Sequence, residues 1–150
     1  MQICEFCQIV DEKSSARVVY ETTGVLAFFP LYPATRGHTL VIPKIHIRDF
    51  LESDPQISME VSLAVTTVGR ALRDVFTPNG MNVITSAGEA ASQSVMHLHF
   101  HVVPRWSGDA LGEIWPPQNP TAESLMEERA DAVRQYFHAE QLKQRNHDQE

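Results

Sequence analysis

Apolar residues along this chain follow two different periods, and the switches between them mark out the elements. Residues 16–21 (Ala-Arg-Val-Val-Tyr-Glu) and 25–29 read as two strands, with Thr22-Thr23-Gly24 as the turn of a hairpin. Pro30-Leu31-Tyr32-Pro33 breaks the pattern. Residues 36–44 give a third strand that ends at its proline, and residues 46–51 a short helix. Ser53-Asp54-Pro55 opens a longer helix, with proline in its first turn. In it Ile57, Val61, Ala64, Val65, Val68, Ala71, Leu72 and Val75 recur at helical spacing, while Ser62, Thr66, Arg70 and Arg73 lie mostly on the other side. That predicts an amphipathic core helix, stopped by Thr77-Pro78-Asn79-Gly80. Residues 81–86 are strand-like. Further on, His97, His99 and His101 alternate with Leu98, Phe100 and Val102, the period-two pattern of a half-buried strand. A last helix over residues 124–137 has Leu125, Ala132, Val133, Tyr136 and Phe137 as its apolar side. The expected fold class is α+β, an antiparallel sheet of about five strands with flanking helices on one side.

At 150 residues the chain has the length of one domain. Residues 1–140 are read as that domain and residues 141–150 as a flexible polar tail. Lys plus Arg number 12 against 19 Asp plus Glu, a formal charge of −7. Nonspecific binding to a nucleic acid polymer needs a basic face, so none is expected. A small anionic ligand is still compatible, because a few local donors hold a phosphate against an acidic average. No stretch is apolar enough to span a membrane, and the N-terminus lacks the basic-then-apolar layout of a signal peptide. A cytoplasmic protein without a membrane partner is the expectation.

The candidate chemistry concentrates at residues 93–105. Residues two apart on a strand share a face, so the three imidazoles would line one side while their neighbours enter the core. At about 3.3 Å per residue, His97 and His101 stand roughly 13 Å apart, too far to ligate one ion together. A division of labour along the strand fits better than a three-histidine metal site. A His-x-His metal pair and a merely polar run remain open on the residues alone. Cys4-Glu5-Phe6-Cys7 is a Cys-x-x-Cys pair, which in a cytosolic chain is half a zinc site or a redox pair. A redox pair is expected at the start of a helix after a strand, and no strand precedes this one. Zinc is preferred, and since it needs four ligands, His46 and His97 are the candidates for the other two. The small-residue loop at residues 87–92 lacks the ending of a P-loop but would let backbone N–H groups approach a phosphate.

The His-x-His-x-His run with its apolar flank resembles the histidine-triad (HIT) family. Gly37-His38-Thr39-Leu40-Val41-Ile42-Pro43-Lys44 resembles that family's second recognisable segment. The resemblance runs from about Cys4 to Asp109. It implies that His99, the middle histidine, attacks the α-phosphorus of a nucleotide, that His38 lies near the phosphate groove, and that His101 assists. The Gln93-Ser94 pair would face the scissile bond, and the loop ending at Ser92 would contribute phosphate donors. Ser86 stands where relatives often carry asparagine near the phosphates. Pro30 stands where several members hold the ribose hydroxyls with an acidic or amide side chain, so Tyr32 or backbone groups would have to take over. Pro104-Arg105 with Gly108-Asp109 looks like the ending of the diadenosine-polyphosphate hydrolase branch. A zinc-carrying branch has the ligand set Cys4, Cys7, His46 and His97. Its closed, all-protein site would be structural, with no catalytic metal required.

The resemblance thus implies a homodimeric enzyme acting on a nucleoside phosphoramidate or dinucleoside polyphosphate, a purine nucleoside monophosphate conjugate being the expected substrate. It would work through a covalent nucleotidyl-histidine. With an ordinary pKa near 6.5, an imidazole is mostly uncharged at pH 7 and attacks without a separate base. Two alternatives stand beside it. One is a nucleotide-binding protein of this fold with little turnover; the other is a metal-dependent hydrolase using His97 and His99 as a pair.

Overall fold

The sheet grows from the hairpin outward. In a computed structural model, which describes residues 4–147, β1 (Arg17–Glu21) and β2 (Val25–Phe29) pair antiparallel. The Thr22 hydroxyl closes their turn by accepting the Val25 N–H at 3.0 Å. A register shift between Val18 and Tyr20 puts a bulge in β1, an edge strand. β3 (Thr39–Pro43) pairs with β2 and with β5 (Phe100–Arg105), and β5 pairs in turn with β4 (Gly80–Ile84). The spatial order is β1-β2-β3-β5-β4, antiparallel throughout.

Alternation along the strands divides the apolar residues between two faces. Val25, Ala27, Val41 and Val102 meet Val61, Ala64, Val65, Val68 and Leu72 of α2 (Pro55–Phe76). Each buried valine or leucine among them contributes about 1.5–3 kcal/mol. The Asp54 carboxylate caps α2 by accepting the Ile57 N–H at 3.0 Å, Pro55 occupies the first turn, and Thr77 ends the helix in the left-handed region. The opposite face holds Leu26, Phe28, Leu40 and Ile42, covered by Phe6 of α1 (Glu5–Val10). Helices therefore flank both faces, not the single side expected. Six residues are too few to announce a helix by periodicity, and α1 escaped detection in the sequence for that reason.

Two further expectations need correction. Residues 46–51 form bends and a turn, not a helix. Asp49 Oδ1 accepts the Leu51 N–H at 2.9 Å, and the Ile47 carbonyl accepts the Leu98 N–H at 2.6 Å, so this backbone is tied into local turns and across to the histidine run. The last strand begins at Phe100, leaving His97, Leu98 and His99 in irregular backbone before it. Two compact units are present, Met1–Gly112 and Glu113–Glu150. The second contains α3 (Glu123–His147), which runs on well past Phe137. Of the tail expected over residues 141–150, residues 141–147 are helical, and the rest lies outside the described residues.

Candidate active site and metal centre

His38 sits just before β3, and glycine is what allows it there. Gly37 has φ +81°, and a Cβ at that position would lie 2.6 Å from the Phe76 ring. His38 is buried, and its Nδ1 accepts the Ala34 N–H at 3.0 Å. A ring nitrogen that accepts carries no proton, so the proton of His38 is on Nε2, which lies 2.9 Å from His101 Nδ1. His38 therefore donates to His101, and the remaining His101 proton is on its Nε2. One backbone amide thus settles the tautomers of two histidines.

His99 is settled from the other side. Its Nδ1–H donates to the His97 carbonyl at 2.7 Å, which leaves the Nε2 lone pair free. The Thr85 hydroxyl holds the His99 carbonyl at 2.9 Å. Rings of His99 and His101 lie 5.0 Å apart, and those of His38 and His101 5.1 Å. Leu40 and Ile84 are the register partners of His101, which places it on the sheet face opposite α2. Burial pushes the pKa of His38 and of His99 below the ordinary histidine value. His101 falls to about 4, through burial first and then the proximity of His99 and His38. At pH 7 all three are neutral, which matches the hydrogen-bond directions.

His97 faces the cysteines. It is fully buried, and its Nε2–H donates to the Pro43 carbonyl at 2.8 Å, turning the Nδ1 lone pair outward. That nitrogen lies 3.5 Å from Cys4 Sγ and 3.6 Å from Cys7 Sγ, and His46 Nδ1 lies 3.3 Å from Cys7 Sγ. One ligand atom from each of the four residues falls within 4.8 Å of every other. Two sulfurs and two imidazole nitrogens are a donor set suited to tetrahedral zinc, and the free lone pair of His97 points into it. Burial, followed by the neighbouring Cys4, pushes the Cys7 thiol up to about 11, so metal binding must displace a proton.

The expected phosphate residues fare differently. Gln93 is 2% exposed, its Oε1 accepting the Gly88 N–H at 2.7 Å and its Nε2 donating to the carbonyls of Arg48 and Val95. Its amide is engaged inside the protein, fixing the loop rather than reaching outward. Ser94 and Ser92 are exposed, Ser86 is half-buried beside Thr85, and Ser92 adopts φ +67° after a single 3-10 turn at Glu89–Ala91. Arg105 grips Asp109 with two bonds at 2.6 and 2.9 Å, and Asp109 also accepts the Trp106 and Leu111 N–H groups. This pair closes the turn after β5 and holds the Asp109 carboxyl well below the usual carboxylate range. Sequence reasoning did not find the Ala34 amide or the Pro43 carbonyl, which are backbone groups that no residue type announces, nor the Thr85 hydroxyl, whose partner is a backbone carbonyl.

Comparison with known proteins agrees with this geometry. The "Protein hit" of Bacillus subtilis is 42% identical over 113 residues, covering 75% of this chain and 78% of that one. A HIT family protein from Bacillus anthracis superposes with a TM-score of 0.80 at 35% identity, over 89% of this chain and 96% of its own. A zinc-bound histidine triad family protein from Mycobacterium smegmatis superposes with a TM-score of 0.69 at 38% identity, over 77% of this chain and 84% of its own. With the HIT domain matched over residues 11–108, the chain belongs to the HIT domain family.

Proposed function

We propose that this chain cleaves nucleoside phosphoramidates or dinucleoside polyphosphates at the α-phosphorus, with His99 as nucleophile. Membership of the HIT family implies nucleotide hydrolase or transferase chemistry. The finer reading rests on one observation, the hydrogen-bond chain that runs from the Ala34 amide through His38 to His101 beside the His99 bond to the His97 carbonyl. His99 Nε2 forms a bond to phosphorus while the bond to the leaving group breaks. The leaving group keeps the electron pair and takes up one proton. The Nδ1–H held by the His97 carbonyl stabilises the positive charge the ring then carries. Water attacks next, the phosphorus–nitrogen pair returns to Nε2, and a nucleoside monophosphate and one proton leave.

His101 Nε2–H donates to the phosphoryl oxygens as their charge shifts, and His38 holds His101 in the donating tautomer. The hydroxyls of Ser94, Ser92 and Ser86 supply further donors, while Gln93 shapes the loop that carries them. With Pro30 lacking a side-chain donor, backbone groups or Tyr32, which is 92% exposed, take the ribose of a purine nucleotide. Cys4, Cys7, His46 and His97 would hold a structural zinc. When bound it contributes folding energy. A cytoplasmic homodimer completes the proposal.

The test is trapping. Wild-type protein quenched during turnover of AMP and GMP phosphoramidates and dinucleotides should carry a nucleotide on nitrogen, labile in acid and stable in alkali. His99→Ala should carry none, and an adduct on that variant would overturn the assignment. Pro30 favours the alternative of a binding protein with little turnover, which tight nucleotide binding without adduct or product would establish.

A further inference from the structure

We infer that Phe6 is a positioning residue for the nucleophile, and that the cysteine hook acts on catalysis through this ring. The inference rests on reading His99 as the nucleophile. Phe6 lies between the two cysteines in Cys4-Glu5-Phe6-Cys7, and it is the one buried residue of α1. Its ring stands edge-on to three others: Phe28 at 5.6 Å between centroids, His97 at 5.8 Å and His99 at 5.4 Å, with interplanar angles of 74°, 70° and 82°. These distances and angles are those of favourable aromatic contacts. The same ring therefore touches a residue of the metal cluster and the attacking imidazole.

His99 needs this support because its own hydrogen bonding is thin. Its side chain has one hydrogen bond among the described residues, from Nδ1–H to the His97 carbonyl. A single bond at one ring atom leaves the far nitrogen, Nε2, free to swing. Two rings confine it: His101 with its centroid at 5.0 Å and Phe6 at 5.4 Å. His101 must hold substrate, whereas Phe6 is a core residue with no polar group to engage it, so it is the partner that can hold His99 in position. Misplacing a reacting atom by about 1 Å can lower a rate about a hundredfold.

The hook is built to place that ring. A six-residue helix is not stable alone, so α1 stays where its contacts fix it. Those contacts are the two sulfurs beside His46 and His97, Phe6 against Phe28, and Ile9 and Val10 at the far end of the helix against the same sheet-face core. Anchoring both sulfurs fixes the backbone on either side of Phe6. Whatever loosens the sulfurs withdraws the ring from His99, a path separate from the His97 carbonyl.

The test uses the zinc-loaded full chain with Phe6→Ala and Phe6→Leu. Metal content, melting temperature, kcat and KM are measured, together with the imidazole nitrogen spectrum of His99, which reports its tautomer. Phe6→Ala with zinc retained should lose about tenfold to a hundredfold in kcat, with KM within about twofold and mixed His99 tautomers. Phe6→Leu keeps most of the bulk and should fall in between. Wild-type kcat and a single His99 tautomer in zinc-loaded Phe6→Ala would overturn the inference. If Phe6→Ala releases zinc, Phe6→Leu decides: a lower kcat at unchanged KM supports it, and wild-type kcat overturns it. If the wild type itself turns over no substrate, the functional reading fails instead. The nitrogen spectra then decide for Phe6: mixed tautomers in the variant support it, and an unchanged spectrum overturns it.

Discussion

Each site histidine has one ring nitrogen committed to a neighbour, and that commitment gives the other nitrogen its role. His97 turns Nδ1 to the cysteines because Pro43 holds its Nε2–H; His99 frees Nε2 because the His97 carbonyl holds its Nδ1–H; His101 donates because His38 occupies its Nδ1. Substitutions should therefore separate by position. On the proposed mechanism His99→Ala removes the attacking atom, and turnover should fall by more than about a thousandfold while nucleotide binding survives. His101→Ala removes the proposed phosphate donor and should cost roughly a hundredfold. His97→Ala should mainly weaken metal binding and stability. Equal effects at all three positions, measured by steady-state kinetics and metal content, would refute the division. The identities of these residues were legible in the sequence from their spacing. Their protonation was not, since it depends on the Ala34 amide and two carbonyls that any residue would supply.

At the scale of elements, the alternating pattern of residues 97–102 extends three residues ahead of the start of β5. The alternation of histidine and apolar residues is real, and Leu98 and Val102 are both buried, but ladder pairing begins only at Phe100. An alternating sequence reports which residues could share a face, not whether the backbone pairs in a ladder, and His97, Leu98 and His99 are all buried. The segment before β5 is held instead by cross-chain bonds, Leu98 to Ile47 and Gln93 to Gly88, Arg48 and Val95. Gln93→Leu would leave those buried backbone groups without partners. The expected cost is about 1–3 kcal/mol of stability, read by chemical denaturation. A direct phosphate contact would raise KM with stability unchanged, and that result would return Gln93 to the binding residues. The hook makes the second element-scale prediction. Cys4→Ser should release zinc and lower the melting temperature, since small structural zinc sites contribute on the order of 10 kcal/mol. Unchanged stability in metal-free protein would remove the site from the account of the fold.

For the molecule as a whole, the strand segments and α2 were legible from periodicity and the antiparallel sheet matches the family resemblance, whereas the small helix covering the second face was not legible. That second face is where apolar core and active site share one layer, with His101 beside Leu40 and Phe6 against His99. Histidines sunk in such a layer must stay neutral, so protons compete with folding. His38 and His101 both have folded-state pKa values below the ordinary 6.5, His101 near 4, with burial the largest cause in each. The groups facing His101 are His99 and His38, and neither is an acid that would favour its charged form. The unfolded chain therefore binds more protons than the folded one below pH 6.5. Their contribution to stability is complete above pH 6.5 and is lost as pH falls from there through about 4. Acid release of zinc acts in the same direction, so the pH series belongs on metal-free wild type beside metal-free His101→Gln. Melting temperature should drop between pH 6.5 and 4 in the first and drop less in the second, because glutamine cannot take up the proton. A wild-type melting temperature that stays flat across that range would show that these histidines are not held neutral by the fold.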